Sequence, residues 1–168
     1  MLGKKSRWIA PLAATAAVLL AASPASAFHL DPNIVDAKDS CGTFDLGLTA
    51  SGGGIKVKEF SNGNIYQVGT GVFLTWSNEG LNGQGGNGKT YTVKTSGSVA
   101  RYVLNPDGMT YTLNLSGHNG FVYFSNDAGG PGAYQYIGRV VLQVDSNLKV
   151  ISVDATAGTA VDICALLG

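Results

Sequence analysis

The sequence predicts a single all-β domain, an antiparallel β-sandwich or β-barrel of about eight to ten strands, with a short C-terminal helix. Short runs of alternating apolar and polar residues recur roughly every 8–12 residues, as in sandwiches and barrels. Turn-forming residues separate these runs, and 24 of the 168 residues are glycine. No helical period of useful length precedes the C-terminus. The length allows one domain, and 45% hydrophobic residues are enough for a core.

The strands are predicted from period-two alternation. Ile55 and Val57 alternate with Lys56 and Lys58, which is typical of a half-buried strand. The other predicted strands alternate in the same way or are wholly apolar, and they cover residues 66–68, 72–76, 90–94, 102–104, 110–115, 121–124, 139–144 and 148–154.

Four connections carry explicit turn chemistry. Asn105-Pro106-Asp107-Gly108 predicts a hairpin, because proline presets φ and glycine accepts the positive φ that closes the turn. Residues 61–64 and 145–147 predict two further turns. The segment Gly117-His118-Asn119-Gly120 is likewise expected to separate two strands.

The two ends of the predicted domain differ from its middle. Residues 28–40 show no clear period and are interpreted as a lead-in to a β domain at 41–168. At the other end, Thr159 followed by Asp162 suggests a helix N-cap with an acid three residues later. The expected helix covers about two turns, from Ala160 to Leu167.

The first 27 residues resemble a secretory signal peptide. Lys4, Lys5 and Arg7 precede an apolar run of about 14 residues, and Ala25-Ser26-Ala27 supplies small residues for cleavage after Ala27. The run is shorter than the roughly 20 residues that span a bilayer. We therefore expect a secreted protein without a membrane span in its mature chain.

Cys41 and Cys164 are the two cysteines of the chain. In an oxidising compartment two thiols usually pair, so a structural disulfide between them is predicted. The alternative, a reactive thiol, requires an electropositive setting, and neither cysteine has a basic residue within two positions.

The segment from Gly83 to Thr90 fits the phosphate-binding pattern G-x-x-x-x-G-K-[ST]. Such a loop must open a helix, whose N-terminus supplies the anion site. Lys89 and Thr90 instead open a predicted strand. We therefore expect no nucleotide at this segment and interpret residues 78–88 as a flexible hairpin loop.

Few residues are available for catalysis or for metal binding. His29 and His118 are the two histidines, and with two paired cysteines they are a poor supply for a zinc site. A hydrolase triad would need His118 as its base, without a G-x-S-x-G elbow to support it. A pair of carboxylates that meet in three dimensions stays open. No cofactor is expected.

Aromatic residues give a weak indication of a binding surface. Trp76, Tyr134 and Tyr136 are the candidates, the two tyrosines following the loop Gly129-Gly130-Pro131-Gly132. They would contact a glycan or a protein partner. The alternative is packing at a sheet edge with the tyrosine hydroxyls in water.

The chain resembles a group of small secreted actinobacterial proteins that carry no assigned function. The resemblance rests on Cys41-Gly42-Thr43-Phe44, on the Asp107-Gly108 hairpin and on the ending Asp162-Ile163-Cys164-Ala165-Leu166-Leu167. It covers most of residues 41–168, from which loop 78–88 departs. It implies secretion, an all-β domain and the terminal disulfide, and it supplies no catalytic residues.

The expected function is that of a secreted, non-enzymatic β domain that binds a small ligand, a glycan or a protein. The alternatives are a secreted hydrolase with an unrecognised site and a structural, surface-associated protein. The formal net charge is zero and would be slightly negative without the signal peptide. Nucleic acid is therefore not an expected partner, because its binding usually needs a basic excess or stripe.

Overall fold

A computed structural model describes residues 29–82 and 84–168 of the chain. The predicted signal peptide, residues 1–27, lies outside the described residues. The elements, in chain order, are β1 (His29–Val35), a 3-10 helix (Ala37–Asp39), β2 (Leu46–Ser51), β3 (Ile55–Glu59), β4 (Ile65–Gly69), β5 (Phe73–Asn78), β6 (Thr90–Lys94), β7 (Val99–Leu104), β8 (Thr110–Tyr123), β9 (Gly132–Asp145), β10 (Val150–Asp162) and α1 (Ile163–Leu167).

The strands form two antiparallel sheets. The four-stranded sheet has the order β1-β2-β5-β6, and the six-stranded sheet has the order β10-β9-β8-β7-β4-β3. The predicted hairpins β3–β4, β5–β6, β7–β8 and β9–β10 are all present. The all-β prediction is therefore confirmed. Of the two architectures it left open, the structure has a sandwich-like pair of sheets, each with two edge strands.

A hydrophobic core joins the four-stranded sheet to one end of the six-stranded sheet. Leu46, Leu74 and Trp76 of the smaller sheet are at most 1% exposed and cluster with Val122 of β8 and Ala133 of β9. This packing is close because Gly120 carries no side chain, and a Cβ there would lie 2.6 Å from the Trp76 ring. Ile163 and Leu167 of α1 belong to the same core and cover its end.

The six-stranded sheet folds back on itself. Strand β8 has 14 residues, which would span roughly 45 Å if it were straight. The loop after its C-terminal end nevertheless reaches the start of β10, since Ala128 N donates to Val150 O at 3.0 Å and Val150 N donates to the Asp127 carboxylate at 3.0 Å. Val150 is paired near the other end of the long strands, opposite Val144. The two ends can meet only if the sheet curls strongly.

Three glycines lie side by side across the long strands, about midway along them. Gly117 pairs with Gly138, and Gly138 pairs with Gly158. Their φ angles are 82°, 138° and 113°, and residues that carry a Cβ rarely adopt such positive values. We call these three residues the glycine row and place the bend of the sheet there.

The turn predicted at 117–120 is wrong, because β8 continues through these residues. His118 and Asn119 pair with Ile137 and Tyr136 inside one continuous strand, so the apolar run 121–124 is not a separate strand but largely the end of β8. A glycine with positive φ inside a strand bends the strand instead of ending it.

The concave side of the folded sheet encloses a second core, rich in tyrosine. Tyr102 and Tyr123 are 4% and 2% exposed, and the Tyr123 and Tyr136 hydroxyls lie 3.0 Å apart. Burial raises the pKa of Tyr102 and Tyr123 well above the usual value. These phenols therefore stay neutral, and the Tyr123–Tyr136 hydroxyl contact persists as a hydrogen bond between uncharged groups.

Both ends of the domain differ from the prediction. The expected lead-in contains β1, which pairs with β2 through an irregular register between Leu30 and Asn33. The irregularity explains why no alternating period is visible in the sequence. The last strand, expected at 148–154, continues to Asp162, and α1 begins only at Ile163.

The N-cap of α1 is Asp162 and not Thr159. The Asp162 carboxylate accepts a hydrogen bond from Ala165 N at 3.0 Å, whereas Thr159 is exposed in β10, opposite Ile137. The sequence pattern was ambiguous because both residue types cap helices well.

Replacement of Asp162 by alanine is expected to lower the free energy of unfolding by about 1 kcal/mol, because Ala165 N loses its acceptor. The matched control is Thr159→Ala, which removes the cap that the sequence suggested. It should change stability by less than about 0.5 kcal/mol. Urea unfolding of both variants decides between the two caps, and the reverse ranking would contradict the position of the helix start.

The predicted disulfide is confirmed. Cys41 and Cys164 are bonded, and their Cα atoms lie 5.1 Å apart across a sequence separation of 123 residues. The bond ties the segment before β2 to α1. It therefore closes nearly the whole domain into one covalent loop.

Candidate ligand cavity

A cavity of about 50 Å³ lies where the two sheets diverge, beside the glycine row. Chain segments from both sheets meet there. Its lining residues are Ile55, Gln67, Gly69, Val72, Leu74, Thr95, Ser98, Ala100, His118, Asn119 and Gly120.

The chain crosses between the two sheets twice beside the cavity, in the connections from β4 to β5 and from β6 to β7. Strand β4 ends at Gly69, and two residues after it Gly71, with φ 81°, turns the chain towards β5 of the other sheet. Strand β8 continues through its bend at Gly117. The strands therefore separate here, and small residues such as Ala100 and Gly120 leave the space between them unfilled.

Two buried polar atoms in this lining have no hydrogen-bond partner in the protein. They are Gln67 Oε1 and His118 Nδ1, and the described part of the chain contains no other such side-chain atom. Gln67 is only 8% exposed. A buried polar atom without a partner costs about 1–3 kcal/mol, so two lining residues of one small cavity each carry an unsatisfied group.

The remaining polar groups of the lining are partly engaged. Thr95 Oγ1 donates to Val72 O at 3.0 Å, and Asn119 Nδ2 donates to Ser116 O at 2.8 Å. The lining contains no Asp, Glu, Lys or Arg. Since an unpaired charge is costly in a partly buried site, the cavity suits a neutral molecule.

His118 is the residue on which the hydrolase alternative depends. Ser98 lines the same cavity, but no carboxylate does. In a catalytic triad the histidine Nδ1–H donates to a carboxylate that orients the ring, whereas His118 Nδ1 has no partner here. The hydrolase alternative stays a prediction without support from this arrangement.

The three aromatic candidates do not form an exposed surface. Trp76 is fully buried, and its Nε1 donates to Gln135 Oε1 at 3.4 Å. Tyr136 is 9% exposed, and Tyr134 packs against it with ring centroids 5.9 Å apart. Packing therefore describes these side chains better than an exposed patch, but not packing at a sheet edge with wet hydroxyls, because β9 lies between β8 and β10 and the Tyr136 hydroxyl contacts that of Tyr123.

The phosphate-loop pattern lies mainly in the connection between β5 and β6. Gly83 itself is outside the described residues. Thr90 begins a strand, and Lys89 Nζ donates to Gly168 O. Asn78 and Asn87 donate to Leu167 O at 3.1 and 2.8 Å. The loop thus holds the C-terminal end of α1 through that helix's free carbonyl groups.

Residues 29–82 and 84–168 contain no group of three or more histidine, cysteine or acidic side chains placed to hold a metal ion. They also contain no helix of the length and apolarity needed to cross a membrane.

Sequence reasoning found His118 but missed Gln67. A single glutamine in an alternating strand gives no functional signal, and only its position opposite Ala100 on the buried face makes it notable. Alternation with Tyr66 and Val68 as the apolar positions predicts an exposed residue at 67, and this was wrong, because the structure buries Gln67 instead.

No family model matches the chain, and neither the curated proteins nor the solved structures include a match to it. The resemblance to small secreted actinobacterial proteins therefore stays a prediction.

Proposed function

We propose that the protein is a secreted, non-enzymatic binding domain that takes a small neutral molecule bearing hydroxyl groups into the cavity beside the glycine row. The observation that carries the proposal is that two residues lining one cavity, Gln67 and His118, each hold a buried polar atom without a partner, Gln67 Oε1 and His118 Nδ1. The disulfide supports secretion, because such bonds persist in oxidising compartments.

The chemistry of the ligand follows from the lining. Gln67 Oε1 can only accept a hydrogen bond, so the ligand must donate one. Ile55, Val72 and Leu74 add an apolar wall. A short diol, or the hydroxyl-bearing end of a larger neutral molecule, combines donors with apolar carbon atoms and carries no charge.

The cavity limits the size of the buried group. One water molecule occupies about 10–15 Å³ of cavity volume. A cavity of about 50 Å³ therefore holds a group of about three to five non-hydrogen atoms. Binding energies of about 0.3 to 1.5 kcal/mol per atom then place the dissociation constant between roughly micromolar and 0.1 M.

The direct test is an NMR titration of the ¹⁵N-labelled protein with 1,2-propanediol. Saturable shifts are expected at the amides of Gly69, Ser98 and Gly120, which line the cavity. Lactate, of similar size but charged, should give none at the same concentrations. Absence of saturable shifts with the diol up to about 1 M, well above the weakest expected dissociation constant, would overturn the proposal.

The variant Gln67→Met provides a second test of the proposal. Methionine keeps the length of the side chain and removes its hydrogen-bond acceptor. Diol binding should weaken at least about tenfold, the loss of one hydrogen bond worth about 1.4 kcal/mol. The unliganded protein should become more stable, because an unsatisfied buried oxygen is removed. Gln84→Met, in the exposed loop after β5, is the control and should change neither quantity. Unchanged diol binding in Gln67→Met would contradict the assignment of this atom.

A further inference from the structure

The outer face of the six-stranded sheet carries a row of residues fixed by the strand register. Lys58 lies opposite Tyr66, Tyr66 opposite Arg101, and Arg101 opposite Asn114. Residues directly opposite each other share one face of a sheet. This first row therefore presents a lysine and an arginine to the same side.

A second row runs parallel to the first, one step along the strands. Lys56 lies opposite Val68, Val68 opposite Val99, Val99 opposite Ser116, and Ser116 opposite Arg139. It presents another lysine and another arginine to the same side. Four cations thus share one face.

The burial of the intervening residues shows which side this is. Gln67, Ala100, Leu115 and Val140 alternate with the two rows and are at most 8% exposed. The side chains of both rows therefore point away from the core. All four cations are exposed, and we call Lys56, Lys58, Arg101 and Arg139 the basic face.

None of the four cations has a carboxylate partner within 4 Å. Among the described residues, the ion pair found is that between Lys38 and Asp36. Lys58 Nζ lies 4.9 Å from the Phe60 ring centre, and Arg101 Cζ lies 5.0 Å from the Tyr66 ring centre. These rings hold the side chains without neutralising them.

An acid does lie at one border of the outer face, on the edge strand. Asp154 accepts hydrogen bonds from Gln143 Nε2 at 2.8 Å and from Ser152 Oγ at 2.6 Å. These bonds lower the pKa of Asp154, so it stays ionised. Asp154 is held at the β10 edge and forms no ion pair with any of the four cations, so their charges are not neutralised by it.

The spacing of the cations suits a chain of negative charges. Neighbouring strands lie about 4.8 Å apart, so Lys58 and Arg101, two strands apart, have Cα atoms about 10 Å from each other. One small anion could still bridge that pair, but Lys56 and Arg139 lie four strands apart, with Cα atoms about 19 Å from each other, so no small anion can contact the whole face. An extended polymer with repeated negative charges can, and it would cross the strands along either row.

We propose that the basic face binds an acidic polysaccharide. Ser116 lies in the second row, and Asn114, whose Oδ1 accepts from Arg139 Nη2 at 3.4 Å, lies in the first, so their hydroxyl and amide N–H groups are placed to hydrogen-bond sugar hydroxyls. Single-stranded nucleic acid fits less well, because it needs aromatic platforms on which bases stack. The one tyrosine of these rows, Tyr66, has its ring already covered by Arg101.

The proposal is tested by measuring binding of the protein to immobilised alginate, an acidic polysaccharide, with neutral dextran as the reference. Affinity for alginate should fall as salt rises, by about 60-fold between 50 and 200 mM if roughly three counterions are released. Dextran should not bind. Equal binding of dextran and alginate would overturn the proposal.

Three double variants with the same change in net charge, two on the basic face and one outside it, localise the site. Arg101→Gln/Arg139→Gln should weaken alginate binding about tenfold and reduce the salt slope by about two. Lys94→Gln/Lys149→Gln lies outside the basic face and should change affinity less than about twofold. A thermal melt confirms that each variant is folded, and Lys56→Gln/Lys58→Gln serves as a second basic-face variant. Equal losses in basic-face and control variants would show a net-charge effect and contradict the proposal.

A single-stranded oligonucleotide is the third probe. If it bound as tightly as alginate and lost affinity equally in Arg101→Gln/Arg139→Gln, nucleic acid would be the occupant and the polysaccharide assignment would be wrong. Gln67→Met should leave alginate binding unchanged, because the cavity lies on the buried side of the sheet. The two proposals can therefore fail independently.

Discussion

Replacement of Gly138 by alanine is expected to lower the free energy of unfolding by roughly 3–5 kcal/mol. A Cβ at this position would overlap the carbonyl oxygen of Ala157 and lie 3.0 Å from Gly158 Cα. Both atoms belong to the backbone of a hydrogen-bonded neighbouring strand, so they cannot move without separating β9 from β10. The positive φ of Gly138 adds backbone strain. Since domains of this kind are stable by about 5–15 kcal/mol, much of the margin would be lost.

The matched control is Gly97→Ala. Gly97 also has a positive φ, 77°, but a Cβ there would meet no atom within 4 Å. The control therefore carries only the backbone strain, about 1 kcal/mol. Urea unfolding of both variants separates the steric contribution from the strain. Equal losses in the two variants would show that the close contact at the glycine row is not essential to the fold.

Removal of the disulfide is expected to have the second largest effect. The double variant Cys41→Ser/Cys164→Ser should be about 3–5 kcal/mol less stable than the oxidised protein. The bond limits the unfolded chain over a separation of 123 residues, and longer closed loops lose more conformational entropy. Both cysteines also contact the core between the sheets, so serine replaces sulfur at a partly buried site.

Two measurements support the interpretation of this variant. Reduction of the native protein should lower its urea midpoint towards that of the double variant, whose own midpoint should not respond to the reductant. The mass of the native protein, measured without reductant, should be two hydrogens below that of the reduced chain. Two free thiols in the native protein, or equal stability of both proteins, would contradict the disulfide's role.

The sequence predicted the regular parts of the fold well. Period-two alternation located β3, β6 and the first half of β8, because one face of each is more buried than the other. Turn chemistry located the hairpin at Asn105-Pro106-Asp107-Gly108. Both signals are local, and local signals are visible in a single sequence.

The parts that were missed depend on contacts between distant residues. The segment Gly117-His118-Asn119-Gly120 has the composition of a turn, but Gly138 and Gly158 align with Gly117 only after the three strands pair. A lone glycine pattern cannot distinguish a turn from a bend in a long strand. The sequence also predicts too early an end for β10. Residues 155–160 are small, polar or exposed and show no alternation.

The candidate site was the least predictable feature. His118 was noticed as one of two histidines, while Gln67 gave no signal on its own. Their significance comes from the burial of both polar atoms without partners in one cavity, a property of the folded chain. Trp76 and Tyr136 were chosen for their chemistry, and hydrophobic packing against the cores placed them inside.

The most direct test of the cavity's role is a high-resolution crystal structure of the protein with 1,2-propanediol at a saturating concentration. We expect density for the diol in the cavity, with one hydroxyl donating to Gln67 Oε1 and the other within hydrogen-bond distance of His118 Nδ1. The same crystals of Gln67→Met should show the diol displaced or absent. Density for ordered water alone at these positions, under conditions where the diol is saturating, would contradict the assignment of this cavity as the ligand site.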